Sequence, residues 1–268
     1  MTTPLPSASS AAQASSIVIT GASAGLGRAL ALAYAAPGVS LGLVGRDAAR
    51  LREVADACTS LGAHVVEGLV DVREAAAVAA WLGAFDAAYQ TDLVIANAGV
   101  FTGHGADQME SVEDIAWMTR VNLEGVVNVV QPMAVAMRGR RAGHIAIIGS
   151  LAALQPLADA PGYSASKAGV MAYGEALREY LMPDRLTVSL VYPGHIETAQ
   201  VADHVGALPH LWTSERAAAH IKRKLDRRVT FVAFPWQLVW LIRAGRALPW
   251  RLRALAGKDF RFHVKRGA

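Results

Sequence analysis

The sequence predicts an α/β chain built on a doubly wound parallel sheet, and three observations carry that prediction. Short apolar runs rich in β-branched residues recur roughly 30 residues apart, with helix-forming stretches between them. These runs lack apolar–polar alternation, as expected of strands covered by helices on both faces. The first run stops at a glycine-rich turn that opens a helix. Right-handed crossovers between successive strands then give a parallel sheet with ligands at its carboxyl edge.

In order, SIVIT (16–20) reads as strand one, and the stretch at 28–38 as a helix stopped by Pro37-Gly38. Residues 39–45 form strand two, and 47–62 an amphipathic helix closed by Gly62. Strand three at 63–72, a helix at 73–89 and strand four at 91–99 follow. Residues 111–138 read as one long helix with Pro132 near its end, and 143–150 as strand five. A helix at 162–182 and strand six at 186–194 continue the alternation. A capped helix at 213–228 and a last strand at 229–235 close it. No repeat or low-complexity linker divides the chain, so one domain is expected over 16–234.

Composition narrows the function classes. At 268 residues and 53% hydrophobic content, the chain buries a large core rather than remaining disordered. Its single cysteine, Cys58, forms no intrachain disulfide, and no histidine or cysteine spacing suggests a metal. Residues 1–15 read as a flexible leader rather than a signal peptide, and no apolar run is long enough to span a bilayer. A cytoplasmic protein is expected. Charge is uneven: residues 1–215 carry 12 Lys and Arg against 20 Asp and Glu, whereas residues 216–268 carry 14 against 2.

The chemistry rests on the loop TGASAGLG, at Thr20–Gly27, and on the segment YSASK. Glycines let a backbone turn sharply and approach a pyrophosphate at a helix N-terminus. Tyr163 and Lys167 stand one helical turn apart and share a face, so the ammonium is expected to pull the phenol pKa down. Ser150 precedes them as a second hydroxyl, and on its own it would equally be a cap for the next element. Asn122, taken alone, would equally be a helix-interior amide bonding to backbone.

Together with Asp71-Val72, the NAG segment at Asn97–Gly99, Asn122 in VNLEGVVN and Pro193-Gly194 followed by Thr198, these motifs resemble the short-chain dehydrogenases/reductases over about residues 16–200. The resemblance implies a Rossmann-like single domain with a C-terminal helical extension, residues 235–268. It implies an NAD(P)-dependent oxidoreductase acting on a CH–OH/C=O pair, usually as a homo-oligomer. Tyr163 would be the proton donor, Ser150 would hold the carbonyl oxygen, and Lys167 would bind ribose hydroxyls. Asn122 would anchor a water reaching Lys167. Gly21, Ser23, Gly25, Leu26 and Gly27 would cradle the dinucleotide, with Asp71 and Val72 at adenine and Asn97 and Gly99 shaping the pocket. Pro193, Gly194, Ile196 and Thr198 would hold the nicotinamide carboxamide.

NADP(H) is favoured over NAD(H). Gly45 stands where an NAD-type acid would bind the ribose, Arg46 follows it, and Ser23 adds a hydroxyl. Asp47 reads as a helix cap instead. His195 lies near the expected nicotinamide and reads as loop filler. Residues 199–214 fall where the family places a mobile substrate lid, and Val201, Val205, Leu208, Leu211 and Trp212 suit an apolar substrate or a core contact equally. The stretch 236–256 is basic and bears Trp236 and Trp240. Packing on the acidic body or on another subunit is the favoured reading, membrane-surface contact the weaker one, and nucleic acid is disfavoured because no recognised module accompanies the charge. Two other readings are a non-catalytic dinucleotide-binding sensor or scaffold, and a sugar-nucleotide epimerase or dehydratase. The proton donor argues against the first, and the glycine spacing and absence of a larger C-terminal domain argue against the second.

Overall fold

The structure, a computed structural model, describes residues 14–102, 108–198, 204–205, 208, 210–249 and 263–264. The strands are β1 (Ser16–Thr20), β2 (Ser40–Gly45), β3 (His64–Leu69), β4 (Leu93–Ala96), β5 (His144–Ile148), β6 (Thr187–Pro193), β7 (His204–Val205), β8 (Phe231–Phe234) and β9 (His263–Val264). The helices are α1 (Gly25–Tyr34), α2 (Ala48–Ser60), α3 (Ala75–Tyr89), α4 (Val112–Thr119), α5 (Gly125–Arg140), α6 (Pro161–Leu181), α7 (Ser214–Asp226) and α8 (Trp236–Arg246). Seven strands pair in the order β3-β2-β1-β4-β5-β6-β8, every pair parallel. A separate antiparallel ribbon joins His204 to Val264 and Val205 to His263. Among the described residues no helix is long and apolar enough to cross a membrane.

The missing alternation in the strands is explained by two apolar layers, one on each sheet face. Ile17, Ile19, Leu41 and Leu43 pack with Leu30, Leu51 and Ile221 from α1, α2 and α7. Val18, Val44 and Val94 pack with Leu82, Met133 and Val170 from α3, α5 and α6. Each such aliphatic side chain contributes roughly 1.5–3 kcal/mol by burial. Caps set the helix starts: Asp47 accepts from Arg50 N at 3.1 Å for α2, and Thr213 accepts from Arg216 N at 3.2 Å for α7. The helix that opens at the carboxyl end of β1 has no such side-chain cap, so first-turn amides of α1 are left facing the sheet edge where ligands bind.

One expected element differs. The stretch read as a single α-helix over 111–138 runs on to Arg140 and is broken by a five-residue π turn, Arg120–Glu124, with Pro132 inside α5. π turns inside helices are uncommon and gather at functional sites. This one carries Asn122. The leader's residues 1–13 lie outside the described residues, as do 199–203, 206, 207 and 209 of the expected lid. Residues 250–262 and 265–268 of the C-terminal stretch lie outside them as well.

Candidate active site

The glycine loop is clamped to the start of the segment after β4. Thr20 Oγ1 accepts from the amides of Asn97 and Ala98, both at 3.1 Å, and Asn97 Nδ2 donates to Thr20 O at 2.9 Å. The Asn97 amide therefore holds the loop's shape. Gly21 sits at φ +66°, and a Cβ there would lie 2.9 Å from Ala98 Cα. At Gly27 a Cβ would overlap the Gly21 carbonyl and the Asn97 amide. Only glycine fits both positions, and the result is a concave backbone surface beneath the uncapped start of α1. Leu26 points into the core, so it can offer a ligand only its backbone. That cradle fits a dinucleotide pyrophosphate.

At the far side of the cradle, Thr198 approaches Gly25: a Cβ on that glycine would lie 3.0 Å from Thr198 Cγ2. Gly194 N donates to Phe234 O at 2.7 Å, which ties the end of β6 to β8. Ile196 is buried and bridges to Trp212. His195 contributes its carbonyl to the Trp212 amide at 3.1 Å. Trp212, equally open to a lid or a core contact in the sequence, meets Phe234 at a tilt and His220 edge-on, with the Arg216 guanidinium 4.1 Å above its ring.

Just past the end of β3, Asp71 is engaged by a residue the sequence reading passed over. Arg73 Nη2 and Nε donate to its carboxylate at 2.7 and 3.1 Å, and Arg46 Nη1 lies at 3.5 Å. Hydrogen bonds from Arg73 hold the Asp71 carboxyl down to about 2, with the Arg46 charge adding a smaller pull. Two guanidiniums thus share one carboxylate, leaving a positive corner where β2 and β3 end. A Cβ on Gly45 would lie 3.4 Å from Ser23 Oγ. Val72 is buried, and its carbonyl accepts from Asn128 Nδ2 at 3.0 Å.

Ser150, Tyr163, Lys167 and Asn122 come together where β4 and β5 end. The Ser150 hydroxyl accepts from Ala152 N at 3.1 Å, and its side chain lies close enough to the Tyr163 phenol to act on its ionisation. Ser150 is thus the cap of the turn Leu151–Ala153. Lys167 Nζ donates to Ile148 O at 3.3 Å and lies 5.9 Å from the Tyr163 ring centroid. A Cβ on Gly99 would lie 3.1 Å from Lys167 Nζ and 3.3 Å from Asn122 Oδ1, so these two side chains share one corner. Asn122 is fully buried: Oδ1 accepts from Val100 N at 2.7 Å, and Nδ2 donates to Val100 O at 2.9 Å and Ser166 Oγ at 3.0 Å.

The expected electrostatics need correction. Burial, the largest influence, pushes the Tyr163 phenol above its ordinary value, and the Ser150 hydroxyl acts against it. Burial also brings the Lys167 ammonium down to about 8. Desolvation therefore sets the direction of the shift, and it is the serine that eases the phenol toward ionisation.

Three supports went unread in the sequence. Glu110, almost fully buried, accepts from Gly162 N at 2.5 Å and Tyr163 N at 3.4 Å. Its carboxylate thus caps the helix that carries Tyr163 and suits the positive end of that dipole. Ser166 donates to Tyr163 O at 2.7 Å and accepts from Asn122, and its place three residues after Tyr163 was a readable signal. Phe101 meets the Tyr163 ring edge-on, with centroids 5.1 Å apart. Among the described residues no cluster of acids, histidines and cysteines is able to hold a metal.

Comparison with known proteins adds four findings. A family model described as short chain dehydrogenase matches residues 15–206. An uncharacterized oxidoreductase of Myxococcus xanthus is 33% identical over 233 residues, 87% of this chain and 92% of the relative. A 3-dehydrosphinganine reductase of Arabidopsis thaliana is 30% identical over 199 residues, 73% of this chain and 59% of the relative. The crystal structure of a short chain dehydrogenase/reductase of Burkholderia phymatum in complex with NAD superposes with a TM-score of 0.77 at 26% identity, covering 86% of this chain and 92% of that one.

Proposed function

The chain belongs to the short-chain dehydrogenase/reductase family, oxidoreductases acting on CH–OH/C=O pairs, and from that premise we propose that it works with NADP(H) on an apolar carbonyl or alcohol. The observation that carries this reading is the gathering of Ser150, Tyr163, Lys167 and Asn122 beside a glycine cradle. When bound, the nicotinamide supplies or accepts the hydride. The chain's residues handle the proton. In reduction Tyr163 gives its proton to the substrate oxygen, and in oxidation it takes one back. A phenol pushed upward stays protonated at neutral pH, which suits the donor role. Ser150 is positioned to share the same oxygen, fixing its distance from the phenol. Lys167 and the backbone at Gly194 and Thr198 would hold the nicotinamide half, and Gly21–Gly27 the pyrophosphate.

The preference for NADP(H) is supported by the corner at the end of β2. Arg46 and Arg73 stand there sharing the Asp71 carboxylate, and Asp47 is occupied as the α2 cap, accepting Arg50 Nε at 2.6 Å as well as Arg50 N. An apolar substrate is supported by the neighbours of the reacting hydroxyls. Phe101 lies edge-on to Tyr163, and the turn after Ser150 carries Leu151 and Leu154, backed by Leu238. A relative named as a 3-dehydrosphinganine reductase is consistent with ketone chemistry. Steady-state assays with ketones and alcohols of graded chain length, each with NADPH and NADH, test the proposal. The expected result is a kcat/KM at least about tenfold higher with NADPH, rising with chain length. Equal use of both dinucleotides, or a preference for short polar substrates, contradicts it.

A further inference from the structure

We propose that the corner formed by β8 and α8 is a docking surface for an anionic phospholipid bilayer. The helix has two apolar faces. The inner one carries buried Val239 with Leu238 and Ile242, and it packs into the cluster that holds Leu151 and Leu154. Arg246 Nη1 donates to Leu154 O at 2.6 Å and pins the helix to the turn that follows Ser150. The outer face carries Trp236, Trp240 and Leu241, exposed at 67, 64 and 55%, with Leu248 beyond them at 45%. Residues 236, 240 and 244 recur at one helical turn, so this is a continuous stripe. The favoured expectation, packing of this segment on the acidic body, holds for the inner face alone.

The stripe runs into a groove of about 350 Å³ along the edge strand β8, lined by Phe231, Phe234, Trp212 and Trp236 and edged by Lys224 and Arg243. Exposed tryptophans beside cations, on a helix lying flat, suit the headgroup boundary of a bilayer, where the ring is half in hydrocarbon and the charges meet anionic lipid. Charge selects among occupants. Among the described residues, 216–249 carry 8 Lys and Arg against one acid, Asp226, which is paired with Lys222 at 2.8 Å. A second copy seated here through a two-fold axis would set this cationic patch against itself. An anionic surface attracts it, each cation near the surface adding about fivefold to partitioning. The bilayer then lies one helix diameter, about 10–12 Å, from the turn after Ser150. The docking does not rest on the proposed reaction, although it suits delivery of an apolar substrate.

Full-length protein is sedimented with vesicles of phosphatidylcholine plus phosphatidylglycerol, and with phosphatidylcholine alone. The expected result is binding to the anionic vesicles, little to the neutral ones, and release by high salt. The double variant Trp236→Ala/Trp240→Ala should lose at least about tenfold in partitioning. Lys224→Glu/Arg243→Glu should lose about twentyfold or more. Both should keep the wild-type oligomeric mass and the wild-type rate of NADPH oxidation with a short ketone. The second variant serves if the first fails to fold. Absence of wild-type binding to anionic vesicles overturns the proposal. So does a change of oligomeric mass in either variant, which assigns the face to a second copy of the chain.

Discussion

His144 opens β5 and Lys167 sits beside the other end of the same strand, and both are almost wholly buried, exposed at 4 and 5%. Burial resolves the first. His144 Nε2 lies 2.7 Å from Ser189 Oγ, which donates in turn to Val229 O at 2.8 Å, and the imidazole, brought down to about 3, is neutral at pH 7. The second is left in tension, because a Lys167 pKa of about 8 keeps the cation through neutral pH in a place that disfavours it. At the amino end of β5 the buried imidazole is discharged and satisfied. The carboxyl ends hold a charge that folding alone would discard, which is where the chemistry belongs.

Paired serine variants break or sharpen this contrast most strongly. Ser150→Ala should cut turnover by about 10²–10³-fold with dinucleotide binding kept. Ser189→Ala should leave turnover unchanged and cost roughly 1–3 kcal/mol of stability, read by denaturant unfolding. If both variants behave alike, the two ends are not different in kind.

Next comes the response to pH. The Lys167 folded pKa lies below its unfolded value, so the unfolded chain binds the extra proton between pH 8 and 10.5, and stability from this group rises across that window. Lys167→Met should abolish that rise and stabilise the protein at pH 7 by up to about 3 kcal/mol, while turnover is lost. The His144 folded pKa is also depressed, so its contribution is complete above pH 6.5 and is lost as pH falls toward 3. A Lys167→Met protein less stable than wild type at pH 7 would contradict the tension described.

The smallest effect concerns the positive corner. Arg46→Ala should reduce the preference for NADPH over NADH by about tenfold, with Arg73 retaining the remainder. An unchanged ratio would assign Arg46 to solvent.

What the sequence disclosed and what it withheld divide along the reach of the interactions. The strands, the glycine loop and the Tyr163–Lys167 face were readable because periodicity and short spacing determine them. Glu110 was not, since it meets the amides of α6 from 52 residues away. The π turn at Asn122 follows a helical pattern that gives no local notice of an inserted residue. The direction of the Tyr163 shift was misjudged for a related reason: spacing names the neighbour, whereas depth of burial is a property of the whole fold. Trp236, Val239 and Trp240 marked an amphipathic stretch, and only the packing reveals which of its faces is covered.

Tyr163→Phe tests most directly that the phenol at the carboxyl edge of the sheet is the proton donor. NADPH binding by fluorescence titration and turnover of the best carbonyl substrate should be measured on the same preparation. The expected result is affinity within about twofold of wild type and turnover lower by at least about 10²–10⁴-fold. Turnover retained within about tenfold would show that another group moves the proton.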